Sequence, residues 1–216
     1  MKKTIHIMML AVTACLASCD AHFDFPDTGM KVGHVLCSDG TVRPADGLGP
    51  GDRPVAVIFS ISHEEEQQGC GLAVYLWNLT PVAMADSIPV SQGTSASLED
   101  ADGNANTYAL YSTGDTRSPL AEAVFDLWTK GQSAYIPSVA EMRILHESLP
   151  AISTVIAGLG GDAIDDGTDG CWYWTSTEVE GQQADKAWLF SMTSGSIQET
   201  PKTQPHPARP IITVNR

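Results

Sequence analysis

Positive charge is what this sequence has least of. Against 26 Asp and Glu it sets 12 Lys and Arg, a formal net charge of −14. That balance repels phosphate backbones, so recognition of nucleic acid through a basic face is excluded. Long apolar runs are scarce as well: one lies at the N-terminus, and nothing after it could build a membrane-spanning bundle. Nucleophile elbows, phosphate-cradling glycine loops, dinucleotide fingerprints and CxxC pairs are missing, and no Cys/His spacing suits structural zinc. What remains, 216 residues that are 43% apolar and 18% charged, fits a single globular domain.

Lys2 and Lys3 precede the apolar run Ile5 to Leu16, which is too short for a stable membrane helix and reads as a signal peptide over residues 1–18. Its closing Leu16-Ala17-Ser18-Cys19 resembles the bacterial lipobox, which implies that Cys19 carries a diacylglycerol anchor in a lipid bilayer. Each buried acyl methylene contributes about 0.8 kcal/mol, enough to hold an acidic body at a membrane. Residues 19–31 read as an acidic tether. Within it Asp20, Asp24 and Asp27 resemble an export signal of some Gram-negative anaerobes, which implies outer-membrane anchoring with display at the cell surface. Past the tether lie Cys37, Cys70 and Cys171, an odd set that admits at most one disulfide. Cys37 and Cys70, both beside glycine or turn residues, could pair; the alternative is three buried thiols.

The segment Val32 to Pro44 holds a Ser-Asp-Gly turn between apolar stretches and predicts a β-hairpin. Pro54 to Ile61 is continuously apolar, which predicts a mid-sheet strand covered on both faces. Gly71 to Trp77 is its expected partner, across the charged loop His63 to Gln68. Residues 80–115 are polar and aperiodic and read as a long surface loop with one helical turn at most. A helix follows: Ser118 caps it, Pro119 takes its first position, and Leu120, Ala123, Val124, Leu127 and Trp128 share one inward face. After a short strand at Ala134 to Ile136, Ser138 and Glu141 form a capping box for a second helix. That helix turns Met142, Leu145 and Leu149 inward and stops at Pro150, with another short helix over 151–157. Cys171 to Thr177, Ala187 to Thr193 and Ala208 to Val214 are strand-like. The order of strands, helices, then strands predicts an α+β fold of mostly antiparallel sheets rather than a βαβ repeat.

Four segments in succession carry a family resemblance: Tyr135 to Leu145, Tyr173-Trp174-Thr175-Ser176-Thr177-Glu178, Lys186 to Phe190 around Trp188, and Arg209 to Val214. In this order they resemble bacterial C-type-lectin-like domains. That group includes C-terminal domains of collagen-like adhesins, fimbria-associated surface lipoproteins of Gram-negative anaerobes and variable binding proteins of diversity-generating retroelements. Upstream segments at Val32 to Thr41, Pro54 to Phe59, Gly71 to Val74 and Asp102 to Thr107 are similar to the lipoprotein branch, so the resemblance spans residues 32–216. It implies a C-type-lectin-like fold with two main helices and a non-catalytic, adhesin-like role in binding a glycan or protein ligand at a surface. The alternative is an accessory subunit of a surface fibre that binds only partner proteins. Two departures stand out. The family's tryptophan before its Leu-Pro pair is replaced by Ser133-Ala134-Tyr135, and the stretch after Gly195 carries Pro201, Pro205 and Pro207, which predicts a stiff, irregular segment.

The resemblance places ligand contacts in Trp172 to Glu178 and Ser194 to His206, with Trp172, Tyr173, Glu178, Gln198, Lys202 and His206 as the contact residues. In a strand Trp172 and Trp174 share one face and Tyr173 takes the other. Trp174 and Trp188 are expected in the core, while Trp172 or Tyr173 could stay exposed as a stacking platform. Thr175 to Glu178 read as a hydrogen-bonded turn. Asp162, Asp165, Asp166 and Asp169 sit in a glycine-rich loop and offer oxygen ligands for weak calcium binding, or form a solvated acidic loop. Enzyme readings find no support. Formylglycine-generating oxidases share a related fold but need paired cysteines where only Cys171 lies, and a papain-like nucleophile at Cys171 lacks its distant histidine.

Overall fold

The computed structural model describes residues 29–62, 70–128, 133–165, 167–168 and 171–215. The signal peptide, Cys19, most of the tether and the loop His63 to Gln68 lie outside them. Among the described residues the fold is α+β, with antiparallel sheets and three α-helices. Its largest sheet has six strands in the order β2-β1-β3-β4-β11-β6, formed by β1 (Val35–Cys37), β2 (Val42–Arg43), β3 (Pro54–Ile61), β4 (Gly71–Tyr75), β6 (Ala134–Tyr135) and β11 (Ile211–Val214). The expected hairpin and the pairing of β3 with β4 are both present.

β3 does run mid-sheet, and its alternation explains why both of its faces are apolar. Val57 and Phe59 face helix α3 (Val139–Gly158), joining Met142, Leu145, Leu149, Ile152 and Ile156 in one cluster. Ala56 and Ile58 face the opposite layer, with Leu120, Val124 and Leu127 of α2 (Pro119–Trp128) and the ring of Trp174. Each fully buried Leu or Ile in these stripes contributes roughly 1.5–3 kcal/mol. No helix among the described residues is long and apolar enough to cross a membrane.

Helix α3 corrects one expectation, because it runs unbroken through Pro150. A proline there removes one backbone hydrogen bond, at a cost of about 3 kcal/mol. Pro150 itself is exposed, and continuing the helix buries Ile152 and Ile156 against the sheet, which offsets that cost. The stretch 80–115 is a second correction. It holds β5 (Leu79–Val82) and a three-turn helix α1 (Gly103–Ser112). The inward residues of α1 are Gly103, Asn106, Thr107 and Leu110, too small and polar to register as an apolar face. The segment after Gly195 is likewise regular, forming β9 (Ile197–Pro201) and β10 (His206–Ala208), of which β10 pairs with β5.

The capping box opens α3 as expected. The Ser138 hydroxyl accepts from Glu141 N–H at 3.3 Å, and Glu141 Oε2 accepts from Ser138 N–H at 2.7 Å. The same Oε2 also accepts from Gly103 N–H at 3.1 Å, so one carboxylate serves the N-termini of two helices. Oε1 accepts from the Tyr135 hydroxyl at 3.1 Å. Burial pushes the Glu141 carboxyl above its ordinary range, against the lowering pull of these hydrogen bonds. The folded protein therefore holds a proton that the unfolded chain releases in the window just above the ordinary carboxylate range, and its stability falls as pH rises through that window. Glu141→Gln removes this loss. The urea midpoint of the variant relative to wild type is expected to rise between pH 4.5 and 7, and a constant or falling difference would contradict the assignment.

Cys37 and Cys70 do not pair. Cys37 lies opposite Pro54 and Cys70 precedes Gly71, the partner of Ile61, so the length of β3 separates them. At about 3.3 Å per residue that is on the order of 20 Å, against the 7 Å or so a disulfide tolerates. Burial and the nearby Asp52 push the Cys37 thiol up, which keeps it protonated and unreactive. Thermal unfolding is expected at the same midpoint with and without reductant; a lower midpoint under reductant would reveal a bridge.

Candidate functional site

The strand β7 (Trp172–Glu178) was the expected contact surface, and the structure turns most of it inward. Its register against β8 (Lys186–Ser191) shifts between Trp174 and Glu178, and the residues from Tyr173 to Glu178 are all buried. Thr175 Oγ1 donates to Trp188 O at 2.9 Å, Ser176 Oγ accepts from the Asn106 amide at 3.3 Å, and Thr177 Oγ1 accepts from Val139 N–H at 3.1 Å. The run expected as a turn is thus a bulged strand, and it does support the fold: it ties β8, α1 and α3 together.

Glu178 and Lys202 are corrected in the same way, since both side chains are fully buried and form an ion pair at 2.8 Å. Lys202 Nζ donates also to Val90 O at 2.6 Å and Gln183 O at 2.9 Å, which uses all three of its protons. Glu178 Oε1 accepts from Gln92 N–H at 2.7 Å. Neither residue can touch a ligand; their work is to pin the segment around residues 90–94 onto β7. Tyr173 is buried too, its hydroxyl donating to Ile164 O at 3.1 Å. Trp174 is core, as expected, with its indole N–H on Val82 O at 3.0 Å.

The other three expected contacts do not converge. Trp172 on β7 is half-buried against the core, Gln198 on β9 is exposed, and His206 lies on β10 in a different sheet. The His206 ring meets Trp174 edge-on at 5.4 Å, and burial lowers its pKa. In the acidic loop, Asp162 Oδ2 accepts from Asn78 N–H at 2.9 Å, while Asp165 Oδ1 accepts from Gly167 N–H and the Thr193 hydroxyl, both at 2.9 Å. Asp166 and Asp169 lie outside the described residues. Among the described residues no three His, Cys, Asp or Glu side chains gather as a metal site. Behind Asp162, the fully buried Arg209 donates to Asn78 Oδ1 at 2.9 Å and to Asp162 O at 3.1 Å. Burial pulls its guanidinium pKa down to about 10.

What the three-stranded sheet β7-β8-β9 does offer is a cleft. The segment Ala96 to Leu98 forms one wall, and Val179, Glu180, Gln183, Trp188 and Glu199 complete the lining. Trp188, expected in the core, is half-buried: one side packs on the cluster under α3, and the residue also lines the cleft. Its indole N–H is shielded from solvent and has no acceptor among the described residues. Glu199 on the rim accepts from Lys186 Nζ at 3.0 Å and the Gln182 amide at 3.2 Å, which together lower its pKa. The wall is anchored by the buried Glu178 and Lys202 pair just upstream of it, and by Arg143, which donates to Leu98 O at 3.0 Å. An aromatic surface with carboxylate and amide groups around it holds a ligand by stacking and hydrogen bonding. The only signal for this in the sequence was position: Trp188 shares a strand face with the half-buried Lys186. No family model matches the chain, and no curated protein matches it significantly.

Proposed function

We propose that this chain is a surface lipoprotein, anchored in the outer membrane through acylated Cys19, whose C-type-lectin-like domain binds a glycan or protein ligand without catalysis. The observation that carries the reading is the Trp188 cleft, where a half-buried indole ring, the Ala96 to Leu98 segment and two carboxylates meet beside the three-stranded sheet. The α+β order of antiparallel sheets and helices is compatible with this reading. The ligand contacts expected at Glu178 and Lys202 move to Glu180, Gln183, Trp188 and Glu199, because buried ionic groups support the cleft from beneath.

The chain from residue 20 onward is screened on immobilised glycans and host-matrix proteins. Reproducible binding is expected, with a loss of about tenfold or more, roughly 1.4 kcal/mol, in the rim variant Glu180→Gln/Glu199→Gln at unchanged thermal midpoint. Absence of any ligand, together with capture of co-encoded surface proteins, would overturn this reading in favour of a fibre accessory.

A further inference from the structure

A second surface lies on the opposite layer, where α1 meets α2. Tyr111 stacks on Phe125 with centroids 3.9 Å apart, and Phe125 meets Trp128 at 4.4 Å. These rings are not core: Tyr111 is 51% exposed and Trp128, which its helix pattern assigned to the buried face, is 39% exposed. Tyr108, one turn before Tyr111 on the same face of α1, is 64% exposed. Tyr111, Phe125 and Trp128 line a depression with Glu122 and Asp126 at its edge. Glu122 is held by Arg117 in a two-pronged pair, Nε to Oε1 at 3.0 Å and Nη2 to Oε2 at 2.7 Å.

We infer that this depression binds a neutral saccharide, stacked on Tyr111 and Trp128 and hydrogen-bonded to the Glu122 and Asp126 carboxylates. Charge and area choose the occupant. The chain as a whole repels anions. Glu122 is paired with Arg117 and Asp126 adds a second carboxylate, so the edge is rich in acceptors for hydroxyl donors and disfavours anions. That arrangement suits hydroxyl groups, which donate and accept at once. The open ring surface is on the order of 300 Å², taking about 150–250 Å² per aromatic side chain. A stable protein interface needs about 800 Å² on each partner, whereas a sugar ring needs only one flat aromatic face. This inference does not depend on the Trp188 cleft.

The purified full chain is titrated calorimetrically with neutral hexasaccharides of glucose, mannose, galactose and N-acetylglucosamine, and with tetramethylammonium and pentalysine as cationic probes. At least one hexasaccharide is expected to bind. Tyr111→Ala, and independently the more exposed Tyr108→Ala, should each weaken it about three- to tenfold, the value of a lost aromatic contact. Glu122→Gln should weaken it as well, and Glu180→Gln/Glu199→Gln should leave it unchanged. Three results would overturn the inference: no saccharide binding, binding of the cationic probes alone, or saccharide binding indifferent to both tyrosine variants. Saccharide binding lost only in the Glu180→Gln/Glu199→Gln variant would overturn it while upholding the cleft.

Discussion

Lys202→Met is expected to cost about 3–5 kcal/mol of stability, because it leaves the Glu178 carboxylate buried and without its counter-charge. The pair is fully shielded, so no water can take the place of the lost ammonium. Val90 O and Gln183 O lose their donor at the same time. Adding Glu178→Gln to this variant should restore part of the loss: the amide oxygen can still accept from Gln92 N–H, and no buried charge remains. Urea unfolding of the two single variants and the double variant measures this. A double variant no more stable than Lys202→Met would show that the stranded charge is not the source of the loss. Ligand affinity at the Trp188 cleft should fall in the single variant, since the same pair anchors the segment that becomes the cleft wall.

The second large effect reverses a familiar rule. Gly→Ala inside an exposed helix usually stabilises by about 1 kcal/mol, yet Gly103→Ala is expected to destabilise by roughly 3 kcal/mol or to prevent folding. A Cβ at Gly103 would collide with Glu141 Oε2 and lie 2.5 Å from Ile136 O and 3.0 Å from Ser138 N. Two of those three neighbours are backbone, and the third is the carboxylate that serves both helix starts. Asn104→Ala, one residue along and exposed, is the control and should be neutral or mildly stabilising. Equal midpoints for the two variants would mean that α1 can pull away from Glu141 without loss.

Much of the fold was legible because its signals are local. The Ser-Asp-Gly hairpin, the apolar β3, the start of α2 and the capping box at Ser138 each specify their conformation within a few residues. What escaped depends on partners far along the chain. Helix α1 is inverted, with Asn106 and Thr107 inward and Tyr108 and Tyr111 outward, so its periodicity carried no apolar face. Pro150 reads as a stop until the sheet that rewards continuation is in place. β10 tolerates Pro207 because its pairing with β5 is irregular there, in a sheet of only two strands. Of the candidate cleft, only Glu199 falls within the two segments that the resemblance marked, and no side chain of β7 lines it. Glu178 and Lys202 look like surface charges until 24 residues of chain fold back to pair them, and Trp188 looks like core until one sees that only part of its ring is covered.

The placement of β11 carries one more consequence. It follows every other strand of the large sheet in the chain, yet it sits inside that sheet, between β4 and β6. Until residues 211–214 arrive, β4 and β6 are two bare edges with open backbone donors and acceptors, and neither can close on the other. The large sheet therefore cannot close before residue 214 is in place. On the lipoprotein reading proposed above, that order would be protective: a chain exported unfolded would stay pliable until its last sheet strand had followed.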